Sequence, residues 1–182
     1  PKSGVTIDYY LPKKLDSTAL KLEVLQNGKV IRSYTNQKPK GFKSWPGGPP
    51  KPSVLPSKKG YNRFTWNSRT KSLPSIEKVF VFGNSVGHRV GPGTYTIRMT
   101  LEDEMVETTA TVLANPKVEA TAADYAEQQE VLQKIDATVK EMHHAINQMR
   151  SAKTQLKNYQ KLLKDNDEAK ELLEKGKALE KR

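Results

Sequence analysis

Apolar residues in this chain follow two incompatible spacings on either side of Asn115-Pro116, and no single kind of secondary structure can satisfy both. Before that point they fall in short runs rich in β-branched and aromatic residues. After it, Tyr125, Leu132, Val139 and Ile146 recur every seven residues. Side chains alternate in a strand and return every 3.6 residues in a helix, so a β region must give way to a helical one near residue 116.

Turn chemistry punctuates the β region. Residues 5–11 form one strand-like run. Leu20, Leu22 and Val24 alternate before Asn27-Gly28, and an Asn-Gly pair supplies the positive φ angles of a type I′ turn, so residues 18–34 read as a hairpin. Strand character returns at residues 61–66, 78–82, 94–101 and 105–113, with Glu102-Asp103-Glu104 as a turn between the last two. About seven strands in ~115 residues predict an antiparallel immunoglobulin or fibronectin III-like β-sandwich over residues 1–116. Trp66, Phe80, Tyr95 and Ile97 are the expected core.

Residues 35–60 hold six prolines and four glycines and must form a long loop, part of it polyproline-like. Charge concentrates around it. The net charge is +11, of which residues 1–116 carry +10, and no acid occurs between Glu23 and Glu77, where about six would be expected. Within this basic stretch lie Phe42-Lys43-Ser44-Trp45 and Lys58-Lys59. Cations interleaved with aromatics suit stacking on a sugar with the lysines on its acidic groups, so Phe42, Lys43, Trp45, Lys58 and Lys59 are candidate anionic-glycan contacts. Alternatively, Phe42 and Trp45 fold back to anchor the loop while the lysines stay solvated, or the loop meets a partner protein. Nucleic acid is disfavoured, because no recognised binding motif accompanies the charge.

The helical region spans residues 117–182. Thr121-Ala-Ala-Asp124 reads as a capping box opening a helix over about 121–164. Ile135, Met142 and Met149 interleave with the seven-residue series, giving a coiled-coil-like seam of Leu132, Ile135, Val139, Met142, Ile146 and Met149. Asp165 and Glu168 are the expected capping pair for a second helix over about 166–182, with Ala169, Leu172, Leu173, Gly176 and Leu179 on one side. The result is a helical hairpin. Its first arm is roughly 66 Å long against about 25 Å for the second, which leaves apolar seam uncovered. That predicts a partner helix, a second copy, or a continuation beyond Arg182. Because the chain starts at Pro1 rather than Met, it reads as a piece cut from a longer one.

Catalytic constellations do not emerge. His143 and His144 point about 100° apart and are not the i, i+4 pair that chelates a metal from one helix face. His88 sits in a glycine-bounded loop without an evident carboxylate or serine nearby, and is expected to make a turn hydrogen bond. No paired carboxylates, phosphate loop or nucleophile elbow occurs. With no cysteine, disulfides and thiolate metal sites are excluded, and no run approaches the ~18 apolar residues that would span a bilayer. The chain is expected to be no enzyme and to need no cofactor or metal.

Five segments in order, Gly4-Val-Thr-Ile-Asp-Tyr-Tyr-Leu-Pro12, Trp45-Pro-Gly-Gly-Pro-Pro50, Gly60-Tyr-Asn-Arg-Phe-Thr-Trp66, Gly87-His-Arg-Val-Gly-Pro-Gly-Thr-Tyr95 and Ala120-Thr-Ala-Ala-Asp-Tyr125, carry a resemblance. Together they look like the C-terminal region of large secreted bacterial proteins, common in Bacteroidetes, with sortilin-like or BNR Asp-box propeller repeats and often labelled glycosyl hydrolases. Gly60 to Trp66 followed by Pro92-Gly-Thr-Tyr95 is also similar to the Ig-like repeat of C-terminal sorting-associated domains. The Asp-box pattern Ser-x-Asp-x-Gly-x-Thr-Trp is absent here, so no propeller or catalytic residue carries over. The resemblance implies an extracytoplasmic accessory module that packs on its own N-terminal propeller and presents its helical seam to a partner.

Overall fold

In the computed structural model, which describes residues 4–80 and 85–180, the chain combines two antiparallel β-sheets with a long C-terminal helix. Strands β1 (Val5–Leu11) and β4 (Gly60–Trp66) form a two-stranded sheet. The second sheet has the order β3-β2-β5-β6, built from β2 (Leu20–Gln26), β3 (Lys29–Thr35), β5 (Gly93–Leu101) and β6 (Glu104–Val112). Helix α1 (Ala122–Leu162) follows, then a 3-10 turn (Asp167–Ala169) and α2 (Lys170–Glu180). Two compact units divide the chain, residues 1–138 and 139–182, and the boundary falls inside α1.

The hairpin forms where Asn27-Gly28 places it. Asn27 and Gly28 both take positive φ, 50° and 75°, which the twist of a two-residue turn requires. Glu102 takes a φ of 54° in the turn joining β5 to β6. One apolar cluster joins the two sheets: Leu11, Phe64 and Trp66 from the smaller, with Leu20, Leu22, Val24, Tyr34, Tyr95 and Ile97 from the larger. Trp66 is fully buried, its ring meets Tyr95 edge-on at 5.3 Å, and Tyr34 meets Phe64 at 4.7 Å. These offset geometries suit ring quadrupoles and add to the burial of the rings.

Phe80 does not join this core. It is 59% exposed, and residues 78–80 of the expected strand are not in a strand, with residues 81 and 82 outside those described. The reason is the neighbouring loop: the ring lies against Gly47, so this segment serves loop packing instead of the ladder.

The proline-rich loop has no helix or strand over residues 36–59, yet it is held down. Leu55 is buried, and its amide donates to the Thr35 carbonyl at 2.9 Å; the Leu15 amide donates to the Ser57 carbonyl at 3.1 Å. The Tyr9 hydroxyl donates to the Pro56 carbonyl, and burial pushes its pKa up to about 12, so it remains a donor at ordinary pH.

Helix α1 opens on the expected capping box. The Thr121 amide donates to Asp124 Oδ2 at 2.7 Å, and the Asp124 amide to Thr121 Oγ1 at 3.2 Å. The backbone bond from Thr121, more than its hydroxyl, holds the Asp124 carboxyl below the usual carboxylate range. The second cap is one residue later than Asp165: Asn166 is the N-cap and accepts from the Glu168 amide at 3.0 Å. Asn166 takes the extended backbone that an N-cap needs.

Two outcomes test this description. Trp66→Ala should destabilise the chain by about 3–5 kcal/mol in urea titration, as expected for emptying a core aromatic site. Asp124→Ala should increase amide exchange at the start of α1 at neutral pH. Because its folded pKa is depressed, the carboxylate's contribution is present above the unfolded value and is lost as pH falls through the lowered one, so the difference should vanish in acid.

Candidate functional site

Trp45 anchors the proline-rich loop. In Trp45-Pro-Gly-Gly, the Gly48 amide donates to the Trp45 carbonyl at 2.9 Å, closing a turn that lays the indole on Gly48. A Cβ on Gly48 would lie 2.7 Å from the ring, and one on Gly47, whose φ is +70°, would lie 2.5 Å from Phe80. The indole N–H donates to the Val79 carbonyl at 3.1 Å. Trp45 and Phe42 are each half-buried, and with Lys43 and Glu77 they line a shallow pocket of about 300 Å³.

Lys58 and Lys59 are exposed on a turn fixed by a residue that sequence reasoning passed over. Asn62 is 5% exposed; its carbonyl oxygen accepts from the Lys58 amide at 3.1 Å, and its amide group donates to the Lys58 and Gly60 carbonyls at 2.8 and 2.9 Å. Trp45 and the Lys58-Lys59 pair are thus held by separate anchors, and no hydrogen bond or ion pair among the described residues joins them.

The basic stretch sorts by residue type. Its arginines are occupied: Arg32 donates to the Thr70 carbonyl and Ser72 hydroxyl at 3.0 and 3.1 Å, Arg63 makes a two-pronged pair with Asp8 at 2.7 and 2.9 Å, and Arg69 donates to the Gly87 carbonyl at 3.0 Å. Its lysines, Lys29, Lys38, Lys40, Lys43, Lys51, Lys58, Lys59 and Lys71, are exposed, with no ion pair among the described residues. Planar guanidinium forks fix structure here, while flexible ammonium groups stay in solvent.

His88 departs from expectation. Its Nδ1 lies 2.7 Å from Asp136 Oδ2 on α1, with the two side chains 10% and 23% exposed. An ionised carboxylate only accepts, so Nδ1 carries the proton in this bond. The expected turn bond is replaced by a tie to a helix 48 residues away, a partner that no local pattern could reveal. Gly87 permits it, since a Cβ there would lie 2.3 Å from Thr70 Oγ1. The strap is completed by the Thr70 amide donating to the His88 carbonyl at 3.0 Å, the Val90 amide donating to the Ser68 carbonyl at 2.9 Å, and the Gln129 side chain donating to the Arg89 carbonyl at 3.3 Å.

Beside the strap, Arg89, Asn67, Asn115, Tyr125, Gln128 and Leu132 line a cleft of about 430 Å³. No carboxylate, histidine or lysine is in its lining. Among the described residues, no group of three or more histidines and carboxylates could hold a metal, and no helix is long and apolar enough to cross a membrane.

The helical seam divides by row. Leu132, Val139 and Ile146 are half-buried, whereas Ile135, Met142 and Met149 are 51%, 52% and 62% exposed. The buried row instead continues through Gln129, Asp136 and His143, four residues after each of Tyr125, Leu132 and Val139. In the second unit, Ala169, Leu173 and Gly176 are covered, while Leu172 and Leu179 are 64% and 65% exposed. Gly176 meets Leu156, to which a Cβ would come within 3.1 Å. Around this contact, Met149, Leu156, Tyr159, Leu172 and Leu179 line two adjoining apolar grooves of about 560 and 580 Å³.

No family model, curated protein or solved structure matches this chain.

Asp136→Ala should raise amide exchange over residues 85–91 and the first turns of α1 and leave the sheets protected, as read by exchange mass spectrometry. A Gly48→Ala exchange should expel the indole and red-shift its fluorescence, with little change in global stability.

Proposed function

We propose that the chain is a non-catalytic accessory module of a larger exported protein, an Ig-like sandwich followed by a helical hairpin that binds another helix. The observation that carries this reading is the exposed apolar surface of the second unit. Met142, Met149, Tyr159, Leu162, Leu172 and Leu179 are each more than half exposed, and the two grooves lined by Met149, Tyr159, Leu172 and Leu179 are apolar. Such patches mark contact surfaces in soluble chains. Of the seam expected from sequence, Met142 and Met149 belong to this surface, Ile135 is the exposed member of the same row, and Leu132, Val139 and Ile146 form the half-buried row beside it.

The resemblance to sortilin-like repeat proteins supports an extracytoplasmic setting in which the sandwich packs on a propeller of the same polypeptide. The absence of cysteine is compatible with that setting. Met142→Lys with Met149→Lys is expected to weaken concentration-dependent association at least tenfold in sedimentation velocity. A chain that stays monomeric at high concentration, with sedimentation unchanged by the double substitution, would remove the reading.

A second reading follows from the eight exposed lysines without ion pairs among the described residues. They would grip an anionic glycan by charge, and the anchored Trp45 would take no part in stacking. Binding to a uronate-rich polysaccharide should then fall steeply with salt and with Lys58→Gln/Lys59→Gln, while Trp45→Phe changes it by less than twofold. An array of acidic glycans with no binding at low salt would dispose of it.

A further inference from the structure

The two edges of the four-stranded sheet are treated differently. At β3, later segments of the chain cover the edge: the Lys71 amide donates to the Ile31 carbonyl at 2.8 Å, and the Leu55 amide donates to the Thr35 carbonyl at 2.9 Å. At β6 nothing among the described residues covers it. The strand pairs only with β5, it is nine residues long without proline or lysine, and most of its residues are exposed. An uncovered edge of this length offers a row of backbone donors and acceptors to another strand.

We propose that β6 pairs antiparallel with β6 of a second copy, about a two-fold axis at Thr108, joining the two four-stranded sheets into one of eight strands. Side-chain parity restricts the choice. Residues 106, 108, 110 and 112 lie opposite Met99, Ile97, Tyr95 and Gly93 and share the core-facing side of the sheet, so the axis must pass through a residue to keep that side continuous. An axis at Glu107 sets two carboxylates opposite each other, which is unfavourable. An axis at Val106 or at Thr109 shortens the overlap of the nine-residue strands.

The axis at Thr108 alone uses the full length from Glu104 to Val112. It places Glu104 opposite Val112 of the second copy, Met105 opposite Thr111, Val106 opposite Ala110, Glu107 opposite Thr109 and Thr108 opposite itself. No like charges meet. Glu107 is already neutralised within its own sheet by Arg98, at 2.6 Å. Val106, 70% exposed although it is on the core-facing row, gains an apolar neighbour, as does the partly buried Ala110. This contact is separate from the helical surface described above and involves none of its residues.

The chain has no cysteine, so single substitutions report the register directly. Opposed residues in an antiparallel pair have Cα atoms about 4.5–5.5 Å apart, within the range a disulfide spans. Thr108→Cys is expected to give a covalent dimer on mild oxidation. Thr111→Cys should not, because its symmetry mate is six residues along the strand, roughly 20 Å away. Light scattering should show dimers for Met142→Lys/Met149→Lys, in which the helical contact is removed, and monomers when Thr108→Lys or Thr108→Glu is added to that pair. Mixing those two charge variants should restore the dimer. Circular dichroism checks that each variant is folded, and Thr108 is exposed, so its replacement disturbs no core. The proposal is overturned by a folded parent chain that stays monomeric and gives no Thr108→Cys dimer. It is equally overturned by equal cross-linking at positions 108 and 111, or by a dimer that persists when Thr108→Lys is combined with Met142→Lys/Met149→Lys.

Discussion

The contact between Trp66 and Tyr95 organises the first unit beyond the burial of two rings. Each ring also carries a polar tip, and each tip is used at the same end of the sheets. The Trp66 indole donates to the Arg69 carbonyl at 3.0 Å, and the Tyr95 hydroxyl donates to the Gly91 carbonyl at 2.7 Å. Buried aromatics of this kind hold a hydrogen-bond partner as well as a core. Here the two partners bound the segments that meet as a strap: residues 68–70 on one side and 87–91 on the other. From that strap His88 reaches Asp136 and Arg89 receives Gln129, so the seating of the first turns of α1 follows from the packing of the sheets.

Residues with short-range signals were legible in the sequence. Asn27-Gly28 marked its turn through φ, Thr121 and Asp124 marked a helix start through reciprocal bonds three residues apart, and Trp66, Tyr95 and Ile97 lay on alternating runs that must bury one face. Phe80 misled because an apolar run near prolines and glycines can serve a loop as readily as a strand, and only the position of Gly47 decides between them. The His88–Asp136 pair was hidden because its members lie 48 residues apart, in segments of different kind. The heptad spacing places Leu132, Val139 and Ile146 on one stripe and Ile135, Met142 and Met149 on the next, and spacing alone leaves open which of the two is covered within the chain.

Electrostatics divides the β region by chemistry more than by position. The arginines of the acid-free stretch bind carbonyls, a hydroxyl and one carboxylate, and Arg32 also lies 4.9 Å from the centre of the Tyr34 ring. Exposed ammonium groups spaced along a proline-rich loop repel one another and keep strong hydration.

The order of strands in the larger sheet has a consequence for how the chain reaches its native state. β2 and β3 are joined by two residues, but β2 must also find β5, whose Thr100 opposite Lys21 lies 79 positions later. Closing so long a span carries a larger entropic penalty than closing a hairpin, and long-range pairing slows folding. The β2–β3 hairpin therefore forms while its outer edge still awaits Leu55 and Lys71 and its inner edge awaits β5. During that interval the segments that will cover its outer edge, which lie in the acid-free stretch between Glu23 and Glu77, carry charge of one sign only. Like charges along those segments repel a second copy of the same stretch, which disfavours strand pairing between chains at that edge.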